Sequence, residues 1–384
     1  MTGSADQDLT VGLDIGTSKI VAIVGKKNSE GQIDVIGIGS HASKGLKRGV
    51  VVNIETTVNA IQRAIEEAEL MAGCRIHSVY AGIAGSHIRS MNSHGIVAIR
   101  DREVVQADID RVIDAAQAVA IPADQKVLHI LPQEYVIDNQ EGIKEPLGMS
   151  GVRLEAKVHL VTCAVNAAQN IEKCVQKCGL EVDDIILEQL ASSYAVLTDD
   201  EKELGVCVVD IGGGTTDIAI FTGGAIRHTA VIPFGGNIIT TDIKEGLKVM
   251  QNQAELLKTK FGKAIAEEAN PNEIVSIPGL RNRPPKEISI RNLAHIVEAR
   301  MEEIIELVHA EIITSGYASK LAGGIVVTGG GSQLAYIKQL FEYMTGMDAR
   351  IGYPNEHLGK SKVEAIKSPM YATTVGLVLS GFRA

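Results

Sequence analysis

The sequence predicts an α/β protein built from two related halves, on three observations. Apolar runs of strand length alternate with amphipathic runs of helix length, the pattern of mixed sheets covered by helices. Hydrophobic residues make up 45% of the 384, aromatic residues only 3%, and Trp is absent, so the core rests on Ile, Val, Leu and Ala. One strand–turn–strand plan also occurs twice, as VGLDIGTSKIVAIV near the start and as VCVVDIGGGTTDIAIF in the second half. A chain of this length also favours two or more domains.

Taken in order, residues 10–24 read as strand, polar turn and strand, and 33–38 as a further strand. Val58, Ile61, Ile65 and Ala68 recur at helical spacing over 56–72, with Gly73 as the stop, and 79–84 returns to strand. From about 86 to 162 short alternating strands surround one helix at 104–119, which reads as an inserted small α/β unit. Helices are expected at 167–178 and 188–197. The GGGTTD segment opens the second half, followed by a helix at 251–261 and by loop and extended structure at 270–288, rich in Pro, Asn and Arg. A long amphipathic helix at 292–315 carries Leu293, Val297, Met301, Ile304, Val308 and Ile312 on one stripe. GGIVVTGGGSQL reads as strand, glycine turn and helix start, and a closing helix at 370–380 ends near Gly381.

The totals exclude several functions. A net charge of −10 argues against bulk nucleic-acid binding, which needs a basic footprint. The five cysteines form no CxxC pair and fit a reducing cytosol; Cys174 and Cys178 lie one helical turn apart without the partners a metal site needs, and read as small buried residues. The opening MTGSADQDLT is polar and acidic, unlike a signal peptide, and no apolar run is long enough for a transmembrane helix. GIGSHA at 37–42 mimics a dinucleotide fingerprint, but SKGLKRGVVVN follows where a helix is required. No Walker-type phosphate loop, convincing Ser-His-Asp set or metal-like histidine spacing occurs.

The repeated hairpin carries the chemistry. Several glycines in a turn let backbone N–H groups converge on an anion, phosphate above all, with no Cβ in the way. The acid at the strand end, Asp14 in one copy and Asp210 in the other, would repel phosphate but suits Mg²⁺ held through water. Gly329, Gly330 and Gly331 form a third glycine turn, suited to the phosphate-near part of a nucleotide. Glu255 and Lys258 place an acid and a base on adjacent turns of a helix, which a solvated i,i+3 pair would also explain.

The ordered set LDIGTSKI, ILEQLASSYAVL, VVDIGGGTTDIAIF, GGIVVTGGGSQL and SPMYATTVGLVLSG resembles the signature segments of the actin, sugar-kinase and DnaK-type chaperone superfamily. Within it, EGIKEPLGMSGVRLEAKVHLVTC and RNRPPKEISIRNLAHIVEARMEEI are similar to the bacterial cell-division FtsA family, from about residue 8 to the end. That resemblance implies an actin-like ATPase fold of four subdomains around a nucleotide cleft: a first core from 1–85, 163–198 and 365–384; an insertion at 86–162; a second core from 199–227 and 301–364; and a small unit at 228–300. Carried over by motif, Asp14, Gly16, Thr17, Ser18 and Lys19 form a first phosphate loop, and Asp210, Gly212, Gly213, Gly214, Thr215 and Thr216 a second. Gly235 and Gly236 lie beside the phosphates, Glu255 and Lys258 meet ribose and base, and Gly329, Gly330, Gly331 and Ser332 close the adenosine side. Of LEQLASS, Glu188 or Gln189 is the candidate for orienting a hydrolytic water, with Glu188 named here; capping the helix is the competing role.

The resemblance also implies binding of ATP with Mg²⁺, weak or no hydrolysis, self-association into actin-like filaments, and linkage of the tubulin-like FtsZ and other division proteins to the inner face of the cytoplasmic membrane. The FtsZ C-terminal tail is expected on the small second-half unit, at Arg291, Arg300 and Glu303, where a solvated helix face is the competing reading. Family members usually continue into a linker and an interfacial amphipathic helix. The sequence stops at SGFRA, so a shortened chain is expected, or a member without that anchor. A superfamily kinase is the alternative, against which no acceptor-activating acid is evident; a rod-shape homologue of the MreB kind is another, against which the insertion speaks.

Overall fold

The computed structural model describes residues 9–279, 281–355, 357–361 and 363–383; the MTGSADQD opening and Leu280 of the 270–288 loop lie outside the described residues. The first half runs through β1 (Leu9–Ile15), β2 (Lys19–Lys27), β3 (Ile33–Ala42), a short hairpin of β4 (Leu46–Lys47) and β5 (Val50–Val51), helix α1 (Ile54–Ala72) and β6 (Ser78–Ile83). Asn53 caps α1 by accepting from the Thr56 N–H, and Gly73 ends it in the left-handed conformation at φ 72°. The insertion follows: β7 (Arg89–Ala98), α2 (Gln106–Gln117), β8 (Gln125–Ile137), β9 (Gln140–Ile143) and β10 (Arg153–Ala164). The chain then returns through α3 (Val165–Lys177), β11 (Glu181–Leu187) and α4 (Glu188–Val196).

Short α5 (Asp199–Leu204) leads into the second half: β12 (Val206–Ile211), β13 (Thr216–Thr222), β14 (Ala225–Ile232), α6 (Gly236–Leu247), α7 (Gln251–Phe261), the hairpin β15 (Ile274–Ile277) and β16 (Lys286–Ser289), and α8 (Ile290–Thr314). It closes with β17 (Ile325–Thr328), α9 (Ile337–Thr345), β18 (Ala349–Ile351), β19 (Leu358–Ser361) and α10 (Ala372–Gly381). The six apolar residues named on the α8 stripe are all fully buried.

The two large sheets share one plan. The first has the order β11-β6-β1-β2-β3-β19 and the second β14-β13-β12-β17-β18. In each, an antiparallel meander of three strands (β1-β2-β3, β12-β13-β14) is extended by two parallel ones (β6 and β11, β17 and β18). The repeated hairpin thus lies inside each sheet, on neither edge, and in the second sheet its strands are buried on both faces, as near-continuous apolar runs demand. Asp14 and Asp210 sit one residue before the end of their strands, aimed toward the same region between the sheets. The insertion forms a separate four-stranded sheet, β7-β10-β8-β9, backed by α2 around its own apolar cluster of Val112, Leu154, Val158 and neighbours.

One expectation changes. GGIVVTGGGSQL was expected to pass straight from its glycine turn into a helix; instead Gly330–Gln333 is a single 3-10 turn and α9 starts at Ile337. The intervening chain is held by an isolated bridge between Ala335 and Lys263, where the Ala264 N–H donates to the Ala335 carbonyl at 2.8 Å, and Tyr336 then turns in the left-handed conformation at φ 67°.

Candidate functional site

A cavity of about 470 Å³ opens between the two halves, a volume typical of a small-molecule site. Both hairpin turns reach it: Gly16, Thr17 and Ser18 from β1–β2, and Gly212, Gly213 and Gly214 from β12–β13. The turns meet tip to tip. A Cβ on Gly213 would stand 2.0 Å from Ser18 Oγ, and one on Gly214 2.5 Å from Thr17 Oγ1, so only glycine fits this approach. Ser18 Oγ also donates across the cleft to Asn237 Oδ1 at 3.0 Å, at the start of α6.

Below the turns four carboxyls converge: Asp14, Asp210, Asp217 on β13, and Glu188 at the first position of α4. Burial pushes Asp14 up to about 7, with Lys19 opposing and Asp210 adding to the rise. Burial pushes Asp217 up to about 8, reinforced by Asp210, and raises Glu188 and Asp210 as well. Asp210 accepts from Thr373 Oγ1 at 2.9 Å, at the head of α10. Asp217 Oδ2 accepts from Thr215 Oγ1 at 2.9 Å, while its buried Oδ1 has no hydrogen-bond partner. Lys19 is pressed against the Tyr371 ring, 4.4 Å from its centroid, and burial lowers it.

Such a floor favours a cation. Among the described residues no three Asp, Glu, His or Cys side chains meet closely enough to ligate a metal by themselves. A Mg²⁺ here would complete its shell from ligand oxygens and water, in keeping with its usual habit. Acids below and two glycine turns above suit a polyphosphate–cation pair, and the orphaned Asp217 oxygen marks the space such a pair would satisfy.

At the far end the cavity is bounded by Glu255 and Lys258 of α7, Gly262 and Leu334. The α7 pair is more than a solvated surface couple. Lys258 Nζ reaches Glu255 Oε2 at 2.8 Å and donates to the Gly236 carbonyl at 3.0 Å and Thr240 Oγ1 at 2.8 Å, and the lysine side chain is only 11% exposed. Gly329, Gly330 and Gly331 line the same end, Gly329 in the left-handed region at φ 80° with its Cα face against Asp210.

Three named residues do not line the cavity. Thr216 turns inward to donate to the Phe234 carbonyl at 2.8 Å. Ser332 donates to the Gly329 carbonyl at 2.7 Å and braces the turn from behind. Gly235 packs directly under Gly212, whose carbonyl a Cβ there would meet at 2.5 Å. Of the two residues weighed in LEQLASS, Glu188 lines the cavity, whereas Gln189 points away to the Ala230 carbonyl; neither side chain caps α4. Sequence reasoning missed Asp217, Asn237 and Thr373. Asp217 was findable: its register position in the first hairpin is held by Val21, and an acid inside an otherwise apolar buried strand calls for a reason.

Arg291, Arg300 and Glu303 lie outside this cavity and do not share one face. Nine residues at 3.6 per turn put Arg291 half a rotation from Arg300. Arg291 pairs with Glu267 at 3.4 Å, whereas Arg300 grips Asp242 of α6 at 2.6 and 3.1 Å and also contacts Glu303. A second depression of about 760 Å³ borders the GGGSQL turn on its other side, but among the described residues no acid lines it.

Duplicated sheets with a glycine–acid cavity between them define a protein of the actin-like fold. Solved structures agree: the PilM-PilN type IV pilus biogenesis complex matches at a TM-score of 0.71 and 16% identity, covering 97% of this chain and 98% of that one. MreB5 of Spiroplasma citri, in a structure bound to ADP, matches at 0.59 and 15%, covering 98% and 97%. The family described as Cell division protein FtsA matches residues 207–376, and the SHS2 domain inserted in FtsA matches 85–162. The Cell division protein FtsA of Pseudomonas aeruginosa is 62% identical over 98% of this chain and 89% of its own length; that of Escherichia coli K12 is 45% identical over 99% and 92%. The chain belongs to the FtsA family of cell-division proteins.

Proposed function

We propose that the cavity binds ATP with Mg²⁺, and that the protein acts as an actin-like adaptor that self-associates into filaments and links FtsZ to the inner face of the cytoplasmic membrane. The observation that carries the nucleotide reading is the convergence of both duplicated hairpins, each with its acid, on one cavity. Bound Mg²⁺ would neutralise phosphate charge. The turn N–H groups and the Thr17 and Ser18 hydroxyls would hold phosphate oxygens, Asp14 and Asp210 would orient metal-bound water, and Glu255 and Lys258 would face the nucleoside. Burial holds the Glu188 carboxyl well above its ordinary range and disfavours the charged form a general base needs, which supports weak or absent turnover. Nucleotide then serves mainly to set the angle between the halves and so the filament equilibrium. The same reading divides the chain into the four subdomains bounded as above, with membrane attachment assigned to the interfacial helix that family members carry after the fold.

For the partner, we assign the FtsZ tail to the Arg300 face of α8. Fluorescence anisotropy with a labelled FtsZ C-terminal peptide tests it. Saturable binding lost in Arg300→Glu and restored in the swapped pair Arg300→Glu/Asp242→Arg is expected. Binding indifferent to Arg300→Glu moves the site, and no binding at all removes the adaptor reading.

A further inference from the structure

The nucleotide reading leaves the β4–β5 hairpin at the cavity mouth without a task. Its tip reaches from the first half to the second. Gly49 lines the cavity and its N–H donates to Thr17 Oγ1 at 2.9 Å. Arg48, beside it, packs on the second glycine turn: a Cβ on Gly214 would stand 2.9 Å from the Arg48 Cα. Arg48 holds φ 50°, a left-handed conformation that side-chain-bearing residues rarely adopt and that glycine would fill readily. Its guanidinium crosses to the other half and lies over the Phe234 ring, 5.6 Å from the centroid, immediately before Gly235 and Gly236. Among the described residues no carboxylate pairs with it, whereas Arg111, Arg153, Arg300 and Arg350 all have acidic partners.

We propose that Arg48 reads the terminal phosphate of the nucleotide. An exposed, unpaired guanidinium at the mouth of a phosphate-type cavity has the planar donor fork that binds phosphate oxygens in pairs, and the Phe234 face holds it ready without neutralising it. With a triphosphate bound, the guanidinium leaves Phe234 for the terminal phosphate. The contact ties the first-half hairpin to the second glycine turn and distinguishes ATP from ADP. The inference rests on the nucleotide reading of the cavity.

The test is competition of ATP and ADP, each with Mg²⁺, against a fluorescent nucleotide for wild type, Arg48→Ala, Arg48→Gly and Lys47→Ala. Glycine suits φ 50°, so Arg48→Gly removes the guanidinium without straining the backbone. Lys47→Ala removes the same charge one residue away. Loss of a charged phosphate contact should reduce the preference for ATP over ADP about tenfold in both Arg48 variants, with ADP affinity changed less than about twofold and the Lys47 variant like wild type. A preference unchanged in Arg48→Gly, or reduced equally by Lys47→Ala, overturns the inference alone. Wild type that binds neither nucleotide overturns the nucleotide reading, and this inference with it.

Discussion

Asp210 and Asp217 face each other directly across β12 and β13, two buried carboxyls in one cross-strand pair. Like charges placed so are unfavourable, and protonation relieves them. A folded carboxyl held above its ordinary value binds its proton more tightly than the unfolded chain does. The stability it contributes is complete below its ordinary value of 3.8 and is lost as pH rises through about 7 for Asp14 and about 8 for Asp217. Without ligand, Asp217→Asn should therefore gain on wild type in melting temperature as pH is raised from 4 to 8. A gap that stays constant or narrows over that window would refute the assignment. Asp14 and Asp210 were legible because they recur in a repeat. Asp217 was not sought because the repeat, the stronger signal, has no acid at its position.

At the scale of elements, the floor of the cavity depends on how α4 and α10 pack, since α4 begins with Glu188 and α10 brings Thr373 to Asp210. Gly376 permits that packing: a Cβ there would lie 1.8 Å from the Ala191 carbonyl. Gly376→Ala must push α10 away from α4, and overpacking of this kind costs about 1–3 kcal/mol, readable in urea unfolding. Weaker binding of nucleotide should accompany it, through the displaced Thr373; unfolding at wild-type urea would show that the helices can separate freely. Helix α7, expected at 251–261, occupies those residues, because capping and periodicity are local signals. The start of α9 was misread because a non-local bridge at Ala335, invisible in sequence, outweighs the glycine turn.

At the scale of the molecule, the insertion leaves the chain between β6 and α3 of the first half yet docks on β14 of the second. His159 of β10, 1% exposed, is held between Asn92 at 2.8 Å and Thr229 Oγ1 at 3.0 Å, while Ser90 and Asn92 reach carbonyls of Thr229 and Arg227. The insertion therefore touches both halves and should feel any change in the angle between them. His159→Ala strands the buried Thr229 hydroxyl and should cost about 1–3 kcal/mol. Hydrogen exchange should then rise in β14 ahead of β12; protection unchanged in β14 would show that the network holds nothing in place. The presence of an insertion was legible in its change of strand pattern, but its seat was not, because docking between separate sheets leaves no periodic trace in either.

The central claim is that one nucleotide and its metal lie between the two hairpins. The direct measurement is anomalous scattering from crystals grown with ATP and Mn²⁺ in place of Mg²⁺. The account predicts a single strong peak between Asp14 and Asp210, with phosphate density against Gly16 and Gly212, and no peak there when ATP is omitted. Nucleotide density outside this cavity, or a cavity left empty at saturating ATP, would contradict it.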